Sequence, residues 1–277
     1  MRKPDRSIAW RAALAIVVTV AGQPAMAEAP QELVQARLVA EDTALAPGAT
    51  SWVVVELVMK PGWHTYWRNP GDAGQATEIA WTLPVGYAAG PIHWPMPDRF
   101  TVDIITSYGY ADRVALLVPV KVPATAQPGG QAELTAAVGW LACEKICIPG
   151  EAKLSLRLPV AAAPARDPAA APVFGAARGR LPGDLAAPAA ARYDAETIAI
   201  DLPQMARDGA AGGMVSFLPF DDALIEHGAA QRLERGTLTL RRGPRIGDLP
   251  ASTEGLLLLG EGGARRGFNL SVRLNRS

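Results

Sequence analysis

An all-β chain, built from two antiparallel sandwiches in series, is the fold class that this sequence predicts. Three observations point to it. Short apolar runs, several with period-2 alternation, recur along the chain and are bounded by Gly, Pro and Asp clusters. No long stretch of helical periodicity separates them. An Ala/Pro-dense segment interrupts the strand-like runs midway.

The elements follow in order. Residues 1–27 read as a secretory signal peptide. Arg2, Lys3, Arg6 and Arg11 form a basic start, "AALAIVVTVAG" is a short apolar run, and Ala25-Met26-Ala27 is a small-x-small cleavage site. The run is well short of the roughly 20 apolar residues that a membrane span needs. "GLLLLG" (Gly255 to Gly260) is shorter still. The chain is therefore expected to be exported and soluble after cleavage, in the oxidising periplasm. Lys and Arg total 27 against 27 Asp and Glu, and the leader is basic, so the remainder is mildly acidic. No basic face suggests nucleic acid as a partner.

Residues 28–160 form the first unit. Its strands are Ser51–Met59, Glu78–Leu83, Val114–Val122, Gln131–Cys143 and Ala152–Val160. In the last, Leu154, Leu156 and Leu158 point one way while Ser155 and Arg157 point the other. Residues 161–190 read as an Ala/Pro-rich linker with one short helix around Phe174 to Arg180. Residues 191–277 form a second β-rich unit with strands at Thr197–Leu202, Gly213–Phe220, Gly236–Arg242, Gly255–Gly260 and Phe268–Leu274.

Cys143 and Cys147, in "WLACEKICIPGEAKLSL", are the two cysteines of the chain. In an exported protein they are expected to form a disulfide. A structural staple gains stability from the length of chain it closes, and this ring is short. Glu144-Lys145-Ile146 contains no glycine, so a hairpin tip here is expected to be strained, and strained, exposed disulfides are the labile ones. The spacing thus favours a redox-active pair over a staple. It is not C-x-x-C, and no βαβ pattern surrounds it, which excludes a thioredoxin active site. Lys145 and Glu144 read as a solvated turn.

Four motifs occur in sequence: "KPGWHTYWRNPGDAG" (Lys60 to Gly74), "IHWPMPDRF" (Ile92 to Phe100), "SYGYADRVALLVPVKVP" (Ser107 to Pro123) and "WLACEKICIPGEAKLSLRLP" (Trp140 to Pro159). Together they resemble the N-terminal periplasmic region of the DsbD/ScsB thiol:disulfide interchange family. Residues 190–277 resemble more weakly the second β-domain of the ScsB branch. The resemblance implies immunoglobulin-like β-sandwiches and a protein-disulfide reductase component that needs no cofactor. Electrons would come from a membrane-embedded DsbD/CcdA-like partner and pass to oxidised periplasmic disulfide or thioredoxin-like proteins. Cys147 would form the mixed disulfide and Cys143 would resolve it. Phe100, Tyr108 and Tyr110 are the candidate cap over the sulfurs, with core filling as the other reading of these rings. Full-length relatives begin their transmembrane helices near where this chain stops, at Ser277, so the resemblance implies a stand-alone subunit or a truncated form. The cysteine spacing is also shorter than in the best-known DsbD type.

The remaining residues read more simply. His64 and its neighbours Trp63, Tyr66 and Trp67 are expected in a turn that packs the sandwich, and Trp81, Trp94 and Trp140 in the core. The ScsB branch is associated with copper tolerance. The soft ligands here are Cys143, Cys147, Met59, Met96, His64, His93 and His227, and they form no Met-rich or His-rich run. No metal site is assigned. The competing reading is a non-catalytic binding subunit, for docking or copper handling, with a structural disulfide.

Overall fold

The computed structural model describes residues 33–204, 206, 213–244 and 247–277, so the signal-peptide reading lies outside the described residues. Strands come first: β1 (Val34–Ala40), β2 (Asp42–Ala44), β3 (Thr50–Met59), β4 (His64–Gly71), β5 (Glu78–Thr82), β6 (Ala88–Ala89), β7 (Asp98–Val102), β8 (Ile105–Ala111), β9 (Arg113–Lys121), β10 (Gln131–Cys143) and β11 (Cys147–Pro159). They form a four-stranded sheet in the order β1-β3-β9-β6 and a six-stranded sheet in the order β11-β10-β4-β8-β7, with β5 also on β10. Every pairing in both sheets is antiparallel. The sheets face each other across a core in which Val55, Leu57, Val114 and Leu116 meet Trp67, Tyr108, Tyr110, Val138 and Trp140. This is a β-sandwich.

The run "VVVELV" does not alternate, and the structure shows why. Val53, Val55 and Leu57 face the sandwich core. Val54 points to the opposite face and is covered there, together with Leu117, by Phe174 and Ala177 of the helix α1 (Ala171–Gly179). A strand buried on both faces reads as a continuous apolar run. The Ala/Pro-rich segment is thus packed chain. Phe174 is 1% exposed. Arg178 at the helix end donates to both oxygens of Glu41, and Arg166 pairs with the same carboxylate. These hydrogen bonds, Arg178 foremost, hold the Glu41 carboxyl below the usual range. In the same segment, β12 (Ala165–Arg166) pairs with β2.

The remaining strands are β13 (Gly183–Asp184), β14 (Ala189–Tyr193), β15 (Thr197–Asp201), β16 (Val215–Pro219), β17 (Arg232–Glu234), β18 (Thr237–Arg241), β19 (Ser252–Leu259) and β20 (Arg266–Arg276). They make one eight-stranded sheet, β16-β19-β20-β14-β15-β18-β17 with β13 on β20. It surrounds its own core of Ile198, Ile200, Phe217, Leu238, Leu257 and Val272. Most pairings are antiparallel, but β13 and β14 run parallel to β20. Strand β14 begins inside the segment read from sequence as linker.

The leucine run explains how the two cores meet. Leu257 and Leu259 face the second core. Leu256 and Leu258, on the other face of β19, join the first core with Leu218 and Phe220. The seam also carries polar contacts. The Asn69 side-chain amide donates to the Pro219 carbonyl at 2.6 Å, Arg99 donates to the His227 carbonyl at 3.0 Å, and Arg265 pairs with Asp98 at 3.0 Å. Among the described residues no helix is long and apolar enough to cross a membrane.

Truncating Phe174 would open a void between α1 and the outer face of β3 and β9. Phe174→Ala is expected to lower stability by about 3 kcal/mol, read as a reduced urea midpoint with an unchanged slope.

Candidate functional site

The hairpin of β10 and β11 sets the site. Thirteen residue pairs run in unbroken register from Gln131↔Pro159 to Cys143↔Cys147. Residues at alternate positions share a face. Trp140 and Ala142 point into the sandwich core. Cys143 and Cys147 therefore stand on the outer face of the six-stranded sheet, at the hairpin tip. They are disulfide-bonded, with Cα atoms 4.1 Å apart. The two sulfur-bearing residues are not equivalent. Cys143 is 3% exposed, whereas Cys147 is exposed. Glu144, Lys145 and Ile146 form the exposed turn, with Ile146 64% exposed.

The strain expected at this tip is not in the backbone. Among the described residues, non-glycine positions with positive φ are Asp103, Asp112 and Arg235, none of them in the turn. Exposure of one sulfur, and the short span of chain enclosed, are what mark the bond as accessible.

His64 and Tyr66 were expected in a turn with rings packing the core. Instead they lie on β4. Cys143 is in register with both Cys147 and His64, so the three sit in one row across the sheet. Tyr66, two residues on, shares the face of His64, and its ring meets the imidazole edge-on at 5.2 Å. The Tyr66 hydroxyl lies 3.8 Å from the Cys147 Sγ. Thr65 and Trp67 take the inward positions: Thr65 donates to the buried Met59 sulfur, and Trp67 packs against Tyr108. Burial pushes the His64 imidazole below its ordinary value and the Tyr66 hydroxyl above its own. Both groups are neutral at pH 7.

The three candidate cap residues separate. Phe100, on β7, stacks on His64 with centroids 4.6 Å apart and interplanar angle 15°. It is the one that reaches the row of the sulfurs. Tyr108 and Tyr110 are each 1% exposed and fill the core. Tyr110 donates to the Pro95 carbonyl at 2.8 Å. The Tyr108 hydroxyl meets the His227 Nδ1 at 3.3 Å, at the seam between the two cores. The other soft ligands lie apart from the sulfurs. His93 packs on Trp52, Met96 lies against Gly267, and His227 is buried beside Tyr108.

Fold and site together define a two-sheet sandwich that presents one disulfide at a hairpin tip, half buried and half open. Residues 35–159 match the family described as thiol:disulfide interchange protein DsbD, N-terminal. Among solved structures, the N-terminal periplasmic domain of ScsB from Proteus mirabilis overlays with a TM-score of 0.60 at 18% identity, covering 87% of this chain and 94% of that one. The shared fold therefore extends through both β-units. A chimeric titin Z1Z2 (TM-score 0.21, 10% identity, 88% of this chain and 97% of that one) and the major pilin subunit BcpA of Bacillus cereus (0.29, 8%, 88% and 68%) overlap at values too low to mark a common fold. No curated protein matches the chain by sequence.

The buried imidazole gives the site a pH signature. As pH falls below about 6.5, the unfolded chain takes up a proton on His64 before the folded chain does. Stability is therefore lost as pH drops from that value toward the lower folded one. His64→Gln is expected to flatten this part of the curve of melting temperature against pH, leaving the steeper carboxylate region below about pH 5.

Proposed function

We propose that the chain is a periplasmic thiol:disulfide exchange module whose working couple is Cys143/Cys147. The observation that carries this reading is the unequal exposure of the two cysteines on the outer face of a sandwich that has its own cores. The bond joins neighbouring strands already paired over thirteen rungs. It does not tie one sheet to the other, and little of the fold depends on it.

Loading of the pair begins when a thiolate of a reduced donor attacks Cys147 Sγ. The Sγ–Sγ bond breaks, Cys143 leaves as a thiolate, and a mixed disulfide joins donor to Cys147. The second donor thiolate then attacks the donor sulfur of that bond and releases Cys147 as a thiolate. The donor is now a disulfide, the pair holds two electrons, and two protons from water complete the dithiol. Delivery is the reverse. Cys147 attacks an oxidised acceptor, and Cys143 attacks Cys147 Sγ to release the acceptor as a dithiol. Its exposure suits Cys147 for the intermolecular bond and its burial suits Cys143 for resolution, the roles that the resemblance to the family implies. The donor in this reading is a membrane-embedded DsbD/CcdA-like protein. The acceptors are oxidised periplasmic thioredoxin-like or disulfide-bearing proteins.

The test uses the mature chain and glutathione. Cys143→Ala with oxidised glutathione is expected to accumulate a stable Cys147–glutathione adduct, seen by mass. Cys147→Ala is expected to form its adduct at least tenfold more slowly. The wild-type pair should equilibrate in glutathione buffers. A pair still fully oxidised at about −300 mV, the range of structural disulfides, would leave the bond as a staple and defeat the reading.

A further inference from the structure

We propose that Tyr66 is a positioning residue for Cys147, holding its sulfur by a hydroxyl hydrogen bond and stabilising the Cys147 thiolate that is released when its mixed disulfide is resolved. This inference rests on the exchange reading of the pair and adds to it a residue outside the two cysteines.

The geometry makes Tyr66 a fixed donor. Its side chain is 3% exposed although it stands on the outer face of the sheet. The chain after β4 folds back over the ring. Ala76 makes a parallel bridge to Tyr66, and Gly74, at φ +125°, lies so close that a Cβ there would sit 2.3 Å from the ring. Only glycine takes that backbone conformation readily and leaves that space. On the neighbouring strand the partner in register is Gly109, where a Cβ would lie 2.0 Å from the Thr65 carbonyl oxygen. His64 closes the remaining side. The ring has no room to turn away from the sulfurs.

The chemistry gives the contact a direction. A disulfide sulfur carries no hydrogen, so in the contact at 3.8 Å the hydroxyl donates and Cys147 Sγ accepts. Burial keeps the hydroxyl protonated at neutral pH. If the side chain served only to fill space, phenylalanine would do so without a polar group held against sulfur. A hydrogen bond to an ionised acceptor is roughly twice as strong as one to a neutral acceptor. The contact is therefore weak in the disulfide and tightens as the donor's second thiolate releases Cys147 as a thiolate. It favours that leaving group, lowers the proton affinity of Cys147, and shifts the couple toward the reduced pair at pH values where Cys147 is ionised.

Of the titratable and charged groups near Cys147, Tyr66 touches it, His64 lies in the same row of the sheet, and Glu144 and Lys145 sit in the turn that joins the cysteines. Tyr66→Phe leaves the last three in place. In a Cys143→Ser background, iodoacetamide alkylation of Cys147 followed by mass against pH reports the thiolate directly. Tyr66→Phe is expected to move the midpoint up by about one pH unit, which is about tenfold less thiolate below it. In the otherwise wild-type chain, measured above both alkylation midpoints, the same change should shift the glutathione equilibrium about tenfold toward the disulfide, or about 30 mV more negative. Should Tyr66→Phe fail to fold, 3-fluorotyrosine at position 66 keeps the ring and makes the hydroxyl a somewhat stronger donor with less acidification than a second fluorine would bring, and the midpoint should move down. An alkylation midpoint that stays put in the variant that folds overturns the proposal, whatever happens to the melting temperature. The alkylation arm needs no redox activity. Failure of the wild-type pair to equilibrate with glutathione would thus count against the exchange function, and an unmoved midpoint against Tyr66 alone.

Discussion

The register of the β10–β11 hairpin is the constraint from which the site follows. With thirteen pairs in phase, the inward positions of Trp140 and Ala142 fix the outward positions of Cys143 and Cys147. A slip of one residue would exchange the faces, sending the sulfurs into the core and the indole into solvent. The core prevents that slip. Trp140 also lies across Gly150, its partner in register, where a Cβ would come within 2.5 Å of the indole nitrogen. The strand pairing thus places the sulfurs before any bond joins them. The bond itself closes a loop of sequence separation 4. By the loop-closure relation it contributes about 2 kcal/mol, at the low end for disulfides. A link that adds little to a register already held by packing is free to serve chemistry.

Burial on both sides of a strand decides what was readable in the sequence and what was not. Leu154, Leu156 and Leu158 alternate with Ser155 and Arg157 because β11 is an edge strand with one face on the core, and that pattern was plain. The sandwich class, the strand positions around it, the helix near Phe174 and the cysteine pair follow from such local signals. The runs "VVVELV" and "GLLLLG" carry a second message that a single-face reading misses. Val54 is covered by α1, and Leu256 and Leu258 are covered by the first core. Their unbroken hydrophobicity reports a third layer and a seam between the β-units, but only the fold says which partner lies on each side. The Ala/Pro segment looked like linker by composition, and its attachment depends on Glu41 and Arg178, 137 residues apart in sequence.

The aromatic cluster after Pro61 shows the same limit at the site. "GWHTYWRNPG" has turn residues at both ends, which favoured a turn throughout. The available signal was the alternation of His64 and Tyr66 with Thr65 and Trp67, a strand of period 2 with different faces. What could not be read locally is that this strand pairs with Cys143 from 79 positions along the chain. Phe100, Tyr108 and Tyr110 divide for a similar reason. Tyr108 and Tyr110 share one face of β8, and Phe100 lies on the next strand, opposite Ser107 on the other face. Parity puts the two tyrosines inside and leaves Phe100 outside against His64.

Strands β4 and β8 connect the sulfur row to the second β-unit. At one end of β4, His64 faces Cys143; toward the other, Arg68 lies over the Phe220 ring at 3.8 Å, and Asn69 binds the Pro219 carbonyl. On β8, Ala111 pairs with His64, while Tyr108 reaches His227. The second unit therefore bears on the strands that carry the site, at a distance from the sulfurs along those strands. It acts as a buttress for the sheet and leaves the Cys147 face open. That arrangement would meet two demands on the exchange site proposed above. The platform would have to be rigid enough to keep a resolving cysteine beside its partner, and the attacked sulfur uncovered for a second protein to approach in line with the S–S bond.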